Sequence, residues 1–462
     1  MKQRIILSIL ILAGINLQVD GSDFYFSTNG SDSNSGLSPE TPFGTLQKAN
    51  KLNLKAGDRL LFKSGDRFTG MLRLDCQGES EKKIVISSYG LGPYPLIDGN
   101  GEEAAIRMHN VAYMTIEKLK ISNWKGTYGI YLTAENAGEM RDLIIRDLDI
   151  HRVGEESRET TDPSKSIGGL CGRIFRGKRP SWWNGLTISN LHIHDVGSCG
   201  ITLGGNVNLY KTDRQDPYFK PHQNVVIEEC RIDSIVRDGI WIRQCENALI
   251  QRCEISRTGM NAVSNGCWFW DCIGSVMQYN EGWECGSPRG NDGAPFSIDN
   301  HCTDCIIQYN YSHDNEGPGY MIFGREGDGY GNIVRYNLSF NDNLTKTYKS
   351  GTACIAIVSE VKEALVEGNI IVAGSETYNI LGHRNWEGFP HSVTYLNNLF
   401  VGNGRAGISE SEEVVRAGVF EGNLFINIPQ LPEELQNQTN SEEFLLNVHK
   451  IREIQSLAGI SD

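Results

Sequence analysis

Beyond its first twenty residues, this 462-residue chain has no apolar run long enough to cross a bilayer as a helix. It has no surplus of basic residues either: 43 Lys and Arg stand against 57 Asp and Glu, a formal charge of −14. The first absence excludes a helical membrane span in the mature chain. The second argues against nucleic-acid binding, which needs a basic face. It also disfavours a polyanionic substrate unless a local basic cleft overrides the total. No cysteine stands near the end of the N-terminal apolar stretch, so no lipid anchor is indicated. Cys302-Thr303-Asp304-Cys305 has no partner pair at zinc spacing, so no metal is assigned.

What is present begins with Met1-Lys2-Gln3-Arg4 and an apolar body from Ile5 to Ile15. A positive head and a short apolar body are those of a secretory signal peptide, expected over residues 1–20. The chain is therefore expected to be an exported bacterial protein, secreted or periplasmic, and a monomer. Twelve cysteines in such a protein raise the prospect of disulfides. Yet Cys245, Cys272 and Cys302 recur at one position of a repeat, and Cys230 and Cys253 at another. Stacked, buried free thiols are the expectation.

That repeat is the dominant feature. A phrase with alternating apolar residues around an anchor recurs as Met114-Ile116-Leu119-Ile121, Leu143-Ile145-Leu148-Ile150 and Leu186-Ile188-Leu191-Ile193. It continues through Val225-Ile227-Cys230-Ile232 and Ala248-Ile250-Cys253-Ile255 to Ala364-Val366-Asn369-Ile371. Anchors fall at 119, 148, 191, 230, 253, 280, 310, 337, 369, 398 and 423, with gaps of 23 to 43 residues. Alternation has period two, so the units are strands. Strand repeats of this length are those of a solenoid, here a coiled parallel sheet. From Asn280 onward every anchor is asparagine, and stacking would place the amides about 4.8 Å apart, in reach of one another.

The asparagine ladder and coil length resemble right-handed parallel β-helices of the pectate-lyase-like superfamily, over residues 24 to 430. The opening Phe24–Gly36 and Thr41-Pro42-Phe43-Gly44-Thr45-Leu46 is similar to the start of secreted bacterial β-helix proteins. The fold class expected is all-β, a single right-handed parallel β-helix of about eleven or more coils. An amphipathic capping helix from about Phe43 to Leu54 is expected over its open end. One β-helix domain is expected over 21–430, with a C-terminal cap or tail over 431–462.

The plain Val/Ile alternation breaks down over 237–330, where acids and aromatics replace it. Counting from anchors and cysteines places Asp271 over Asp299 on adjacent coils. That would hold two carboxylates near 5 Å apart, the spacing of a retaining glycosidase. Asp292 precedes the same strand; Asp314 and Glu316 follow on the next turn, and His313 could orient the acids. These six are the candidate catalytic residues. The same acids also suit tight turns, which a solenoid needs whatever its function. The run around Asp292, Phe296, Asp299 and Tyr309–Gly317 resembles a phrase in secreted carbohydrate-active β-helix proteins, with Ser297 where those often carry a further Asp.

Trp241 and Tyr320 are the candidate sugar platforms, whereas Trp268 and Trp270 are read as core, and Trp182-Trp183 as a loop wall. Arg243, Arg289, His301, Arg325, His383 and Arg384 are candidate substrate ligands. Three readings follow. The first is a glycoside hydrolase using paired carboxylates on a carbohydrate substrate. The second is a polysaccharide lyase acting by β-elimination on uronic-acid glycans, with a basic catalyst and Ca²⁺ as a possible cofactor. The third is a non-catalytic glycan-binding solenoid.

Overall fold

The structure, a computed structural model, describes residues 21–154, 168–205, 216, 218–260, 264–288, 292–325, 329–344 and 352–436. The expected signal segment and residues 437–462 of the expected C-terminal cover lie outside these. Twelve short strands, from Leu72–Leu74 to Gly407–Ser409, form one parallel sheet in which each strand pairs with the one a winding later. A larger parallel sheet of 26 strands wraps the remaining sides of each winding. The chain thus passes from one sheet to the other and returns one rung higher, which makes a parallel β-helix.

Alternation explains the interior. Ile250, Met277, Ile307, Val334, Val366 and Tyr395 fall in register on successive windings and are all buried. Each is one member of an apolar column that water cannot reach. Burial of a full Leu or Ile side chain is worth roughly 1.5–3 kcal/mol, so the columns hold the windings together.

The anchors mark corners. At each one the chain bends between two strands, as between Val276–Gln278 and Glu281–Trp283. The residue just before the anchor takes a left-handed backbone: Lys118, Asp147, Asn190, Glu229, Arg252, Tyr279, Tyr309, Tyr336, Gly368, Asn397 and Gly422 all have φ between 50° and 65°. Such a bend turns the anchor inward, where a polar side chain must find partners. The Asn280 amide donates to Asn310 Oδ1 at 2.9 Å, and the ladder continues through Asn337, Asn369, Asn398 and Asn423 at 2.9–3.1 Å. Each amide nitrogen also reaches a backbone carbonyl of the preceding winding, as Asn310 Nδ2 does with Met277 O at 3.1 Å. The expected ladder is therefore present.

Non-glycine residues are strained at these corners, and stacking offsets part of that cost. Tyr279, Tyr309 and Tyr336 stack with centroids 5.4 Å apart at each step. Gly368 ends the stack, because a Cβ there would stand 2.6 Å from the Tyr336 ring.

All twelve cysteines are free thiols, eleven of them buried, as expected for stacked small hydrophobes. The capping helix is shorter than expected, Leu46–Ala49 rather than 43–54. Two contacts limit it. Phe43 bridges to Phe26 as extended chain, and the Asn50 side chain ties down residues 71–73, donating to Met71 O and accepting from Arg73 N.

Candidate active site

The chemistry-bearing residues sit on the outward side of the 12-stranded sheet. Ile240, Ile242, Cys267, Phe269, Phe296 and Ile298 face the interior. Side chains alternate across a strand, so Trp241, Arg243, Trp268, Trp270 and Ser297 point the other way. The pairings Trp241↔Trp268, Trp268↔Ser297, Ser297↔Met321 and Met321↔Ala356 make one outward column. Arg243↔Trp270 begins the next column, and Asp299, one residue past the pair Phe269↔Ile298, continues it.

The aromatic part is a ladder on the outward side of this sheet, where neighbouring side chains bury both Trp241 and Trp268. Trp241 and Trp268 stack with centroids 4.6 Å apart and planes 8° from parallel. The Arg243 guanidinium lies 4.1 Å above the Trp241 ring, and burial pulls its pKa down to about 10. Trp268 Nε1 donates to Asp238 Oδ1 at 3.0 Å. Asp238 also accepts from the Asn265 N–H at 3.2 Å and stands 3.8 Å from the Arg237 guanidinium.

Three carboxyls share this region. Burial lifts Asp299 well above the usual carboxylate range, and the charges of Asp292 and Asp238 add to the lift. Ser297 Oγ, donating to Asp299 Oδ1 at 2.6 Å, works against it. Asp292 is pushed up to about 6 by burial and by Asp238, against the nearby Arg384. Its carboxyl lies deep among neighbours although the residue keeps an accessible edge. Asp238 is itself raised by burial. A group of acids with split proton affinities can hold one proton beside one ionised carboxylate, the requirement for acid–base work on a glycosidic bond.

Several expected placements are corrected. Asp271 does not stand over Asp299. The segment from Ile298 to Cys302 holds one residue more than Phe269 to Cys272, so Asp271 falls over Asn300 when counted from the strand and over His301 when counted from the cysteines, never over Asp299. Asp299 follows Trp270, while the Asp271 N–H meets Asn300 O at 2.8 Å in a corner with φ 55°. From there the Asp271 charge bears on the core thiol Cys245. Trp268 and Trp270 face outward and are not core. Trp183 is fully buried in the strand Ser181–Val196, so Trp182-Trp183 is no loop wall. Tyr320 is wholly interior, its hydroxyl donating to Asn310 O and Leu338 O, and cannot be a platform. His383 also points inward, bonded to the Tyr395 hydroxyl at 2.7 Å, and burial lowers its pKa to about 4. It cannot touch a substrate.

His313 and Asp314 lie at the end of a strand of the larger sheet, away from Asp299. His313 bridges Glu281 and Asp314 and is flanked by Trp283 and Tyr311. Glu316 sits on the turn beside the Asp292 segment, taking the Ser287 N–H at 3.0 Å. The next residue must be glycine, since a Cβ on Gly317 would stand 2.2 Å from Asp292 O. His301 occupies a left-handed corner at φ 60°. Arg325 forms a two-pronged pair with Glu387 at 2.6 and 2.7 Å. Arg384, 5.2 Å above the Trp386 ring, is the basic candidate whose charge reaches Asp292. Arg289 lies outside the described residues. Sequence reasoning missed Asp238, because Arg237-Asp238-Gly239 looks like an ordinary turn and its indole partner is 30 residues away.

Fold and site together define a right-handed parallel β-helix protein with an acid cluster on the outward side of its 12-stranded sheet. The family described as "Right handed beta helix region" matches residues 179–371. Among curated proteins, the chain is 23% identical to a lacto-N-biosidase of Bifidobacterium longum over 82% of its own length, but spans 30% of that protein. Among solved structures, it is similar to a GH136 lacto-N-biosidase of Eubacterium ramulus. The native form gives a TM-score of 0.63 at 23% identity, covering 75% of this chain and 64% of the other. The selenomethionine form gives 0.66 at 22%, covering 88% and 68%. A complex of XylC with xylose gives 0.51 at 12% identity, covering 90% of this chain and 85% of the other. These likenesses establish the fold. Among the described residues, no helix is long and apolar enough to cross a membrane.

Proposed function

We propose that this chain is an exported glycoside hydrolase whose reaction centre is the pair Asp292 and Asp299, set on the outward face of the 12-stranded sheet. The observation that carries this reading is the cluster itself: two carboxyls whose proton affinities are both pushed up, next to the stacked indoles Trp241 and Trp268. Asp299, lifted by burial and by the charges of Asp292 and Asp238, holds the proton in the resting state and gives it to the departing glycosidic oxygen. Asp292, ionised above about pH 6 and steadied by Arg384, acts on the anomeric carbon or on the water that attacks it. Asp238 is a positioning residue. Its charge keeps the Asp299 proton in place, and its bond to Trp268 fixes the aromatic wall. Trp270, which keeps an accessible edge, gives the apolar surface that a sugar ring packs against, with Trp268 buried against it; Trp241 is too buried to serve as the platform expected of it.

The lacto-N-biosidase relatives make lacto-N-biosides the first substrates to test. The experiment compares Asp292→Asn and Asp299→Asn on a natural glycan and on a dinitrophenyl glycoside, whose leaving group needs no protonation. Both variants are expected to lose turnover on the glycan by about 10²–10⁴-fold, the usual worth of acid–base catalysis. Only Asp299→Asn should recover on the activated substrate. Full glycan turnover by either variant, at an unchanged melting temperature, removes this centre. Products absorbing in the near ultraviolet would establish elimination instead.

A further inference from the structure

A second constellation lies on the larger sheet. Asp149 and His151 stand two residues apart on the strand Gly138–Val153, so both project from the same face. His194 on the strand Ser181–Val196 is the register partner of His151 one winding on. Asp149 Oδ1 lies 2.9 Å from His151 Nδ1 and 3.3 Å from His194 Nε2, and all three ligand atoms fall within 4.8 Å of one another. Tetrahedral zinc, with bonds of about 2.0–2.1 Å, separates its ligand atoms by about 3.3–3.4 Å. The three atoms therefore need only a small outward adjustment to share one ion.

The surroundings supply what an isolated ion pair would not need. His194 Nδ1 is 2.7 Å from Asp195 Oδ2. That bond places the ring proton on Nδ1 and leaves the Nε2 lone pair facing the cluster, the carboxylate–histidine–metal arrangement. The His194 ring is held between His192 and His151, with centroids 4.3 and 5.4 Å away, so its orientation is fixed before any ion arrives. Lys120, 3.6 Å from the other face of the Asp149 carboxylate, competes for charge but leaves Oδ1 free of it. All three ligands are partly exposed, so an ion has a path in and a fourth position for water.

We propose that Asp149, His151 and His194 bind one divalent metal of the zinc class, with Asp195 orienting His194, and that the ion clamps two adjacent windings together. Two imidazole nitrogens and one carboxylate suit zinc or cobalt better than calcium or magnesium, which take oxygen ligands. This site is separate from the acid cluster of the 12-stranded sheet and does not depend on the hydrolase reading.

The test uses the whole chain, tag-free and stripped with chelator, titrated with zinc by calorimetry and with cobalt(II) by visible absorption. One ion per chain is expected, with ligand-field bands from nitrogen ligation and a raised melting temperature. His151→Asn and His194→Asn should each weaken binding by at least about tenfold, and Asp195→Asn by about 10–100-fold although it touches no ion. His313→Asn, four windings further along the same sheet, should leave affinity unchanged. Should the variants not fold, histidine footprinting of the parent chain decides, since zinc must protect His151 and His194. Absence of cobalt bands and of zinc heat at micromolar concentration overturns the proposal. So does unaltered binding by the double variant His151→Asn/His194→Asn, or loss of none of the protected histidines to zinc.

Discussion

Asp292 and Asp299 differ by seven positions in sequence yet act on one another through space, because a single winding's strand separates them. Their coupling sets a pH profile. On the proposed mechanism turnover needs Asp292 ionised and Asp299 protonated, so kcat/KM should rise through about pH 6 and fall again where Asp299 loses its proton. A rate that is flat across that whole range would count against the pair. Asp238→Asn removes a buried negative charge from the same cluster and should move the alkaline limb to lower pH, which a purely structural role would not do.

His383 gives a second residue-scale prediction, on stability. Its folded pKa of about 4 lies below the ordinary 6.5, so the unfolded chain binds the extra proton first. Its contribution is thus complete above pH 6.5 and is lost as pH falls toward 4, an effect of up to about 3 kcal/mol. His383→Gln should flatten the pH dependence of the urea midpoint over that window. An unchanged slope would mean the imidazole is not held neutral.

At the scale of the corner element, the prediction concerns Asn310. Its amide takes the Asn280 backbone and side-chain N–H groups and donates to Met277 O, Gln308 O and Asn337 Oδ1. Asn310→Leu leaves these buried partners short and should cost at least about 1–3 kcal/mol, the penalty for an unsatisfied buried group. An unshifted melting temperature would refute the ladder as a stabilising element. This element was legible in the sequence because its chemistry is local and repeated: one amide per winding at a fixed place in the alternation. The left-handed residue before it was not. Lys118, Glu229, Arg252 and the tyrosines carry no turn signature, and only the bend itself demands their geometry. The active-site register failed for the opposite reason. The winding gains a residue before Cys302, so counts from the cysteines and from the strand disagree there and neither sets Asp271 over Asp299; the strand count places Asp299 and Ser297 outward. Asp292 and Asp299 were legible as acids in an irregular stretch. Asp238 was not, since its partners come from other windings.

Across the whole molecule, contacts run between successive windings and hardly beyond, so stability should be a sum of neighbouring interfaces. A lesion at Asn337 should therefore loosen the windings next to it and spare distant ones. Hydrogen exchange on Asn337→Leu is expected to rise over roughly residues 306–372 while the windings before residue 205 keep their protection. A uniform rise along the chain would show that the solenoid behaves as one cooperative block.

The unbridged sulfurs bear on how such a chain matures. With every one of the twelve cysteines unbridged and eleven shut away from solvent, no oxidant or isomerase is required to complete the fold. The same polypeptide can reach its final shape on either side of a cell envelope, and a reducing host cytosol is no obstacle to producing it.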